Sequence, residues 1–331
     1  MTKKFLVFLF AFSAHQLMAQ NVDSTNILFD AGWQFFKGAV EGGQEISFDD
    51  SHWRTVDLPH DWSIEDIGAT QSPFDSNAIS QVSGGFTVGG TGWYRKHFNI
   101  PETDRGKRIR ILFEGVYMNA DVWVNGHHLG NHPYGYTSFG YDLTGKINTG
   151  ENILAVQVKN EGQNSRWYSG SGMIRHVWLQ MLEPVHAVQW GTSIVCTDVT
   201  DASARIHTRT AITNTGEQTQ AAQLVSTILD RQGRAVISWR SDLQIMPGKV
   251  YTDEQIHTVQ HPLLWSVEDP NLYTLRTEIY QQQHLLQKQQ SIFGIRSMQF
   301  SAEKGFLLNG KSLKLKSGCY HNDNGPLGAV S

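Results

Sequence analysis

The sequence predicts an all-β protein built from two sandwiches in tandem, a jelly roll over residues 26–183 and an immunoglobulin-like sandwich over 185–297. Three observations predict it. Apolar and polar residues alternate with a period of two in many short runs, as in Arg108-Ile109-Arg110-Ile111-Leu112-Phe113. Turn chemistry separates these runs, and no helical period is sustained over about ten residues. The composition is rich in Gly, Trp, Tyr and Phe, residues suited to turns and to pleated surfaces.

A chain of 331 residues has room for two full domains and a remnant. With 27 basic and 31 acidic residues it is almost balanced in charge, so nucleic acid is not an expected partner. At the start, Lys3 and Lys4 precede the apolar run Phe5 to Ala14, and Leu17-Met18-Ala19-Gln20 follows. This is the order of a secretory signal peptide, residues 1–19, with cleavage expected after Ala19. The apolar run is too short for the ~20 residues of a membrane-spanning helix, and no Cys follows the cut. A secreted or periplasmic protein without a membrane anchor is therefore expected. Cys196 and Cys319 are far apart and are expected to be free and buried rather than bridged.

Along the first domain, Ile109, Ile111 and Phe113 should face a core and the arginines between them water. Val122-Trp123-Val124 runs into Asn125-Gly126, a hairpin signal because both central residues of a type I′ turn take positive φ. Asn152 to Val158 reads as a buried strand. Glu183-Pro184 marks the domain boundary, since proline cannot continue a strand ladder. The second domain runs from Ser193-Ile194-Val195 through Tyr273-Thr274-Leu275 to Ile292-Phe293, and His284-Leu285-Leu286 sits in a polar hairpin between glutamine-rich flanks. After Met298, Asn309-Gly310 predicts one more hairpin, followed by the apolar Leu313-Lys314-Leu315.

Several segments together carry a family resemblance: Leu58-Pro59-His60-Asp61-Trp62, Gly90 to Lys96, Val122 to Gly126, Ser165-Arg166-Trp167-Tyr168-Ser169-Gly170, Leu264-Trp265-Ser266, Pro270 to Tyr273, Phe293 to Arg296, Phe306 to Lys311 and His321-Asn322-Asp323. In this order and spacing they resemble family 2 of the glycoside hydrolases, which holds β-galactosidases, β-glucuronidases and β-mannosidases. The resemblance implies a sugar-binding jelly roll, an immunoglobulin-like spacer and a TIM barrel with two catalytic glutamates. Residues 298–331 would be the truncated start of that barrel, with a first strand at Leu313 to Gly318 and His321 and Asp323 at its C-terminal end, the face on which barrel active sites lie.

The resemblance also implies the site residues. His321 is expected against the substrate at the barrel mouth, with Asn322 and Asp323 beside it. Arg166 either forks its guanidinium onto a sugar hydroxyl or carboxylate or forms an interface ion pair stacked on Trp167. Trp167 and Tyr168 either stack on a sugar or supply buried area. Asp61 either accepts from a sugar hydroxyl or caps the turn into Trp62-Ser63. His127, His128 and His132 lack a carboxylate or thiolate at ligand spacing and are not read as a metal site. Ser169-Gly170-Ser171-Gly172 lacks the strand-to-helix context of a nucleophile elbow.

No cofactor is expected, the expected partner is a β-linked sugar, and a homo-oligomeric assembly is left open. Two functions follow. One is the N-terminal part of a retaining exo-glycosidase, most like the β-galactosidase branch, which lacks catalytic residues of its own. The other is a non-catalytic secreted module that binds carbohydrate or docks on a partner. The opening of a barrel strand after Leu313 favours the first.

Overall fold

The computed structural model describes residues 23–68, 70–163, 165–319, 321 and 324–330. The expected signal peptide, Asn322 and Asp323 lie outside the described residues. Ten strands make the first sandwich: β1 (Asn26–Leu28), β2 (Trp33–Lys37), β3 (Arg54–Val56), β4 (Gly90–Ile100), β5 (Arg108–Phe113), β6 (Ala120–Val124), β7 (His127–His132), β8 (Phe139–Asp142), β9 (Gly150–Asn160) and β10 (Val177–Leu182). They form a six-stranded sheet in the order β3-β2-β4-β9-β6-β7 and a four-stranded one in the order β1-β10-β5-β8. All ladders are antiparallel. Trp33, Tyr94, Ile109, Ile111, Phe113, Val122 and Leu154 fill the space between the sheets.

The alternation in β5 does as expected on its apolar side, but Arg108 and Arg110 are half-buried rather than in water. Burial lowers the Arg110 pKa, and nearby Asp142 opposes that shift. The reason is the second domain. Gln180, directly opposite Arg110 in the ladder, donates to Gln189 at 3.0 Å, and the outer face of the four-stranded sheet meets the start of the next sandwich.

That second sandwich comprises β11 (Val185–Thr197), β12 (Ser203–Asn214), β13 (Gln220–Leu229), β14 (Ala235–Ile245), β15 (Val250–Gln260), β16 (Tyr273–Gln281) and β17 (His284–Phe293). Its sheets are β11-β12-β15 and β14-β13-β16-β17. Pro184 lies in the gap between β10 and β11. A strap ties the two sandwiches: the Asp23 carboxylate accepts from Gln287 at 2.9 and 3.0 Å and from Gln289 at 2.6 Å, and Gln287 in turn accepts from the Ala187 amide at 2.8 Å.

A small meander, β18 (Met298–Ser301), β19 (Gly305–Leu308) and β20 (Lys311–Ser312), follows. Asn125-Gly126 and Asn309-Gly310 both take the expected paired positive φ, 48° and 76° and then 50° and 75°. In the glutamine-rich hairpin Gln282 and Gln283 do so themselves, at 48° and 68°. Among the described residues the helical pieces are single 3₁₀ turns at 62–64, 82–84, 102–104 and 325–327.

Three expectations are corrected here. Leu313 to Gly318 carries no strand and Leu315 is 63% exposed, because a barrel strand needs neighbours on both sides for its backbone groups. Cys319 is exposed, and only Cys196 is half-buried. The stretch from Leu313 onward was expected to be loosely ordered, for want of neighbouring strands, or packed on the second sandwich. Residues 324–330 instead return to the first sandwich, where Ala329 is fully buried with Tyr117 and Ile174.

Candidate sugar-binding site

One end of the first sandwich gathers three segments: the turn at 58–65, the stretch 165–174 and the turn at 324–330. The first two are stitched together by their backbones, His60 N to Met173 O at 2.8 Å and Trp62 N to Ser171 O at 3.0 Å. Trp62 is fully buried, stacked on Phe35 with centroids 5.7 Å apart. His60 spans a chain of polar groups, its Nδ1 2.7 Å from the Tyr94 hydroxyl and its Nε2 2.9 Å from Glu65 Oε1. Arg54 donates to both Glu65 oxygens at 2.6 and 2.7 Å. Burial opposes ionisation of Glu65, but the hydrogen bonds from His60 and Arg54 outweigh it and hold the carboxyl below its ordinary pKa.

Asp61 is 3% exposed and its carboxylate is fully engaged. Oδ1 accepts from the Ser63 amide at 2.9 Å, the Ser63 hydroxyl at 2.6 Å and the Ser171 amide at 2.9 Å. Oδ2 accepts from the Tyr168 hydroxyl and from the Ala329 amide, the latter at 2.9 Å. Of the two roles open to Asp61, the geometry displays the cap, since five donors already surround two oxygens. Burial and the Asp61 charge push the Tyr168 pKa far up, so its hydroxyl remains a donor.

Beside this hub lies a cleft of about 280 Å³ between the 75–90 loop and the 160–170 stretch, at the small end of the range usual for ligand pockets. Asp75, Asn77, Glu161, Gln163, Ser165 and Trp167 give it polar and aromatic lining. The two walls meet closely at Gly89, where a Cβ would fall 2.2 Å from the Asn160 carbonyl oxygen. Trp167 is 47% exposed, and the His321 ring rests on it with centroids 4.2 Å apart at 42°. An indole face with hydrogen-bonding groups beside it suits a sugar, whose C–H faces are apolar and whose rim is hydroxylated.

The structure thus brings Trp167 and His321 together. Arg166 is exposed and makes no ion pair among the described residues. Tyr168 is half-buried on Asp61, while Asp323 and Asn322 fall outside the described residues. Sequence reasoning missed Asp75, Asn77 and Glu161; neither the 75–90 loop nor the turn after β9 has a period that would have exposed them. It also missed a carboxylate near the histidines of β7: Asp121 lies 3.1 Å from His128 Nε2. His132 instead bonds Thr137 at 2.9 Å, and among the described residues no three ligand-type side chains converge for a metal.

The sugar-binding-domain model of glycosyl hydrolases family 2 matches residues 29–182, and a second model of that family matches 192–296. This chain belongs to glycosyl hydrolase family 2. Among curated family 2 relatives, Beta-galactosidase BoGH2A of Bacteroides ovatus is 40% identical over 304 residues, covering 91% of this chain and 35% of that protein. A protein named putative beta-glucuronidase from Formosa agariphila is 31% identical over 317 residues, covering 94% and 29%. A solved family 2 member from Bacteroides cellulosilyticus superposes with a TM-score of 0.89 at 44% identity, over 93% of this chain and 40% of that one. The chain spans about a third of the length of the curated relatives it matches.

Proposed function

We propose that this chain is the N-terminal, sugar-holding portion of a secreted retaining exo-β-glycosidase, with β-galactosides as its substrate class. The jelly roll supplies one wall of the sugar site through Trp167, and His321 closes onto that wall. The single observation that supports this reading most is the contact between Trp167 and His321, two residues far apart in sequence that meet beside a cleft in a family 2 fold. The likeness to BoGH2A supports the galactoside class.

A retaining mechanism needs two carboxyl groups ~5–5.5 Å apart across the scissile bond, one attacking the anomeric carbon and one protonating the leaving oxygen. Several of the acids described here have local duties. Glu114 accepts from Trp178 Nε1 at 2.8 Å, Glu183 pairs with Lys107 at 3.5 Å, and Asp61 is saturated. In the cleft itself, Asp75 caps the Asn77 amide at 2.8 Å and Glu161 accepts from the Thr91 hydroxyl at 2.8 Å. The proposal therefore assigns both catalytic carboxyls to a barrel outside the residues described. It follows that purified residues 20–331 should not turn over nitrophenyl β-galactoside, β-glucuronide or β-mannoside. Turnover that survives removal of host galactosidase and vanishes in Glu161→Gln or Asp75→Asn would overturn this.

One observation favours β-glucuronides as a second reading. Arg166 presents an exposed guanidinium without an ion-pair partner among the described residues, beside Trp167, and a guanidinium can fork onto a carboxylate. Saturation-transfer NMR with galactose and with glucuronate separates the two: a glucuronate signal that Arg166→Ala abolishes, with no signal from galactose, would select the second.

A further inference from the structure

The two oxygens of Asp61 face different parts of the chain. Oδ1 serves Ser63 and Ser171, both inside the first sandwich. Oδ2 serves Tyr168 and, 268 positions further on, the amide of Ala329. The turn that brings Ala329 there is closed on itself, Asn324 N to Gly328 O at 2.9 Å and Asn324 Nδ2 to Val330 O at 2.7 Å. Its approach is so close that only glycine fits on either side. A Cβ at Gly328 would lie 2.5 Å from both Asp61 Oδ2 and the Tyr168 hydroxyl, and one at Gly170 would lie 2.5 Å from the Ala329 Cβ. Both glycines have positive φ, 63° and 74°. Ala329 has no exposed surface. A buried carboxylate therefore grips a compact turn, and His321 precedes that turn by three residues.

We propose that Asp61 is a positioning residue: by accepting from Ala329 it anchors the 324–330 turn on the first sandwich and thereby sets the His321 imidazole on the Trp167 indole. The inference rests on the reading of Trp167 and His321 as a sugar-facing wall, and names what assembles that wall. Bonds from neutral donors to a carboxylate in a site shielded from water are stronger than neutral pairs, and here such a bond adds a directional anchor to the apolar packing of Ala329 against Tyr117 and Ile174. The division of labour between the oxygens makes the role separable. In Asp61→Asn the amide oxygen can keep Ser63 and Ser171, whereas the amide nitrogen cannot accept from Ala329 and can only donate to the Tyr168 hydroxyl, which can rotate to receive it. Gly328→Ala dislodges the turn from the other side and leaves the Asp61 cap intact.

The test uses the whole chain from residue 20 and two readouts. Hydrogen exchange at the Ala329 amide reports the grip. Acrylamide quenching of Trp167, taken as the difference between each protein and its Trp167→Phe counterpart, reports the imidazole on the indole. In Asp61→Asn and in Gly328→Ala, exchange at Ala329 should accelerate at least about tenfold, the factor expected for one lost hydrogen bond to a charged group. Trp167 quenching should rise to the level of His321→Ala. Unchanged exchange in Asp61→Asn would overturn the proposal. So would faster exchange with Trp167 still shielded, because His321 would then hold its place without the turn. If Asp61→Asn does not fold, Gly328→Ala carries the test, as that residue lies outside both sandwiches. No sugar is present in either measurement, so failure of the sugar reading and failure of this proposal are told apart.

Discussion

The first sandwich buries Trp33, Trp62, Tyr94 and Phe113 completely within one continuous core. The second has two separate cores of mainly aliphatic residues, one around Ile212, Leu224 and Ile279, the other around Ile206, Ile228 and Leu275. Its large aromatic Trp239 is half-buried with an unpaired ring nitrogen. Aromatic rings are long enough to reach from the sheet interior to the loops. In the first sandwich the chain Phe35, Trp62, Tyr94 carries rigid packing out to His60 and Asp61, so the end that presents the cleft is an extension of the core. The second sandwich reaches a loop through Tyr273, whose hydroxyl accepts from the Leu263 amide at 2.9 Å and whose ring lies 5.8 Å from Phe293, a shorter path with no fully buried tryptophan along it.

If that contrast is right, the two sandwiches should answer differently to truncation. Trp62→Ala should cost about 3–5 kcal/mol in the first sandwich, because the indole fills space that Gly92 leaves open; a Cβ on Gly92 would sit 2.6 Å from the ring. Denaturant unfolding followed at β-sheet and aromatic wavelengths should show the first transition moving and the second staying. A single transition that moves as a whole would mean the Asp23 strap and the Gln180–Gln189 contact fuse the two into one unit. Asp23→Ala sharpens the point. It removes the acceptor of Gln287 and Gln289, so the transitions should separate further, by roughly 1–2 kcal/mol for two or three half-buried hydrogen bonds. No further separation would show that the strap does not couple them.

The smallest effect is electrostatic. Glu65 has its folded pKa below the unfolded value, so the stability it contributes is present above about pH 4.5, its ordinary value, and is lost as pH falls through the lower folded one. With its side chain 33% exposed, screening keeps this below about 1 kcal/mol. Glu65→Gln should flatten the acid limb of the first transition and leave that of the second alone. An unaltered acid limb would remove Glu65 from the account of the 58–65 turn.

Much of this was legible in the chain because strands and tight turns are local. Ile109, Ile111 and Phe113 betray a buried face by their spacing, and Asn125-Gly126 and Asn309-Gly310 betray hairpins through the φ they tolerate. What was not legible depends on distant partners. Arg110 looks like a solvated residue until the second sandwich covers it. Asp61 reads as a cap ahead of a ligand, and only the arrival of Tyr168 and Ala329 shows both oxygens engaged. The Trp167–His321 contact joins residues no periodicity connects; the family resemblance pointed to each as a site candidate, and the structure brings them together. The strand expected after Ser312 came from the family resemblance, and strand pairing needs neighbours that the described residues do not place beside it.

The central claim is that the chain holds one wall of a shared sugar site. Isothermal titration calorimetry of residues 20–331 with galactose and lactose tests it most directly. A wall formed by Trp167 and His321 leaves most sugar hydroxyls without protein partners, so no binding tighter than about millimolar is predicted. Micromolar affinity lost in Trp167→Ala would contradict the shared site and make the chain a carbohydrate-binding module in its own right.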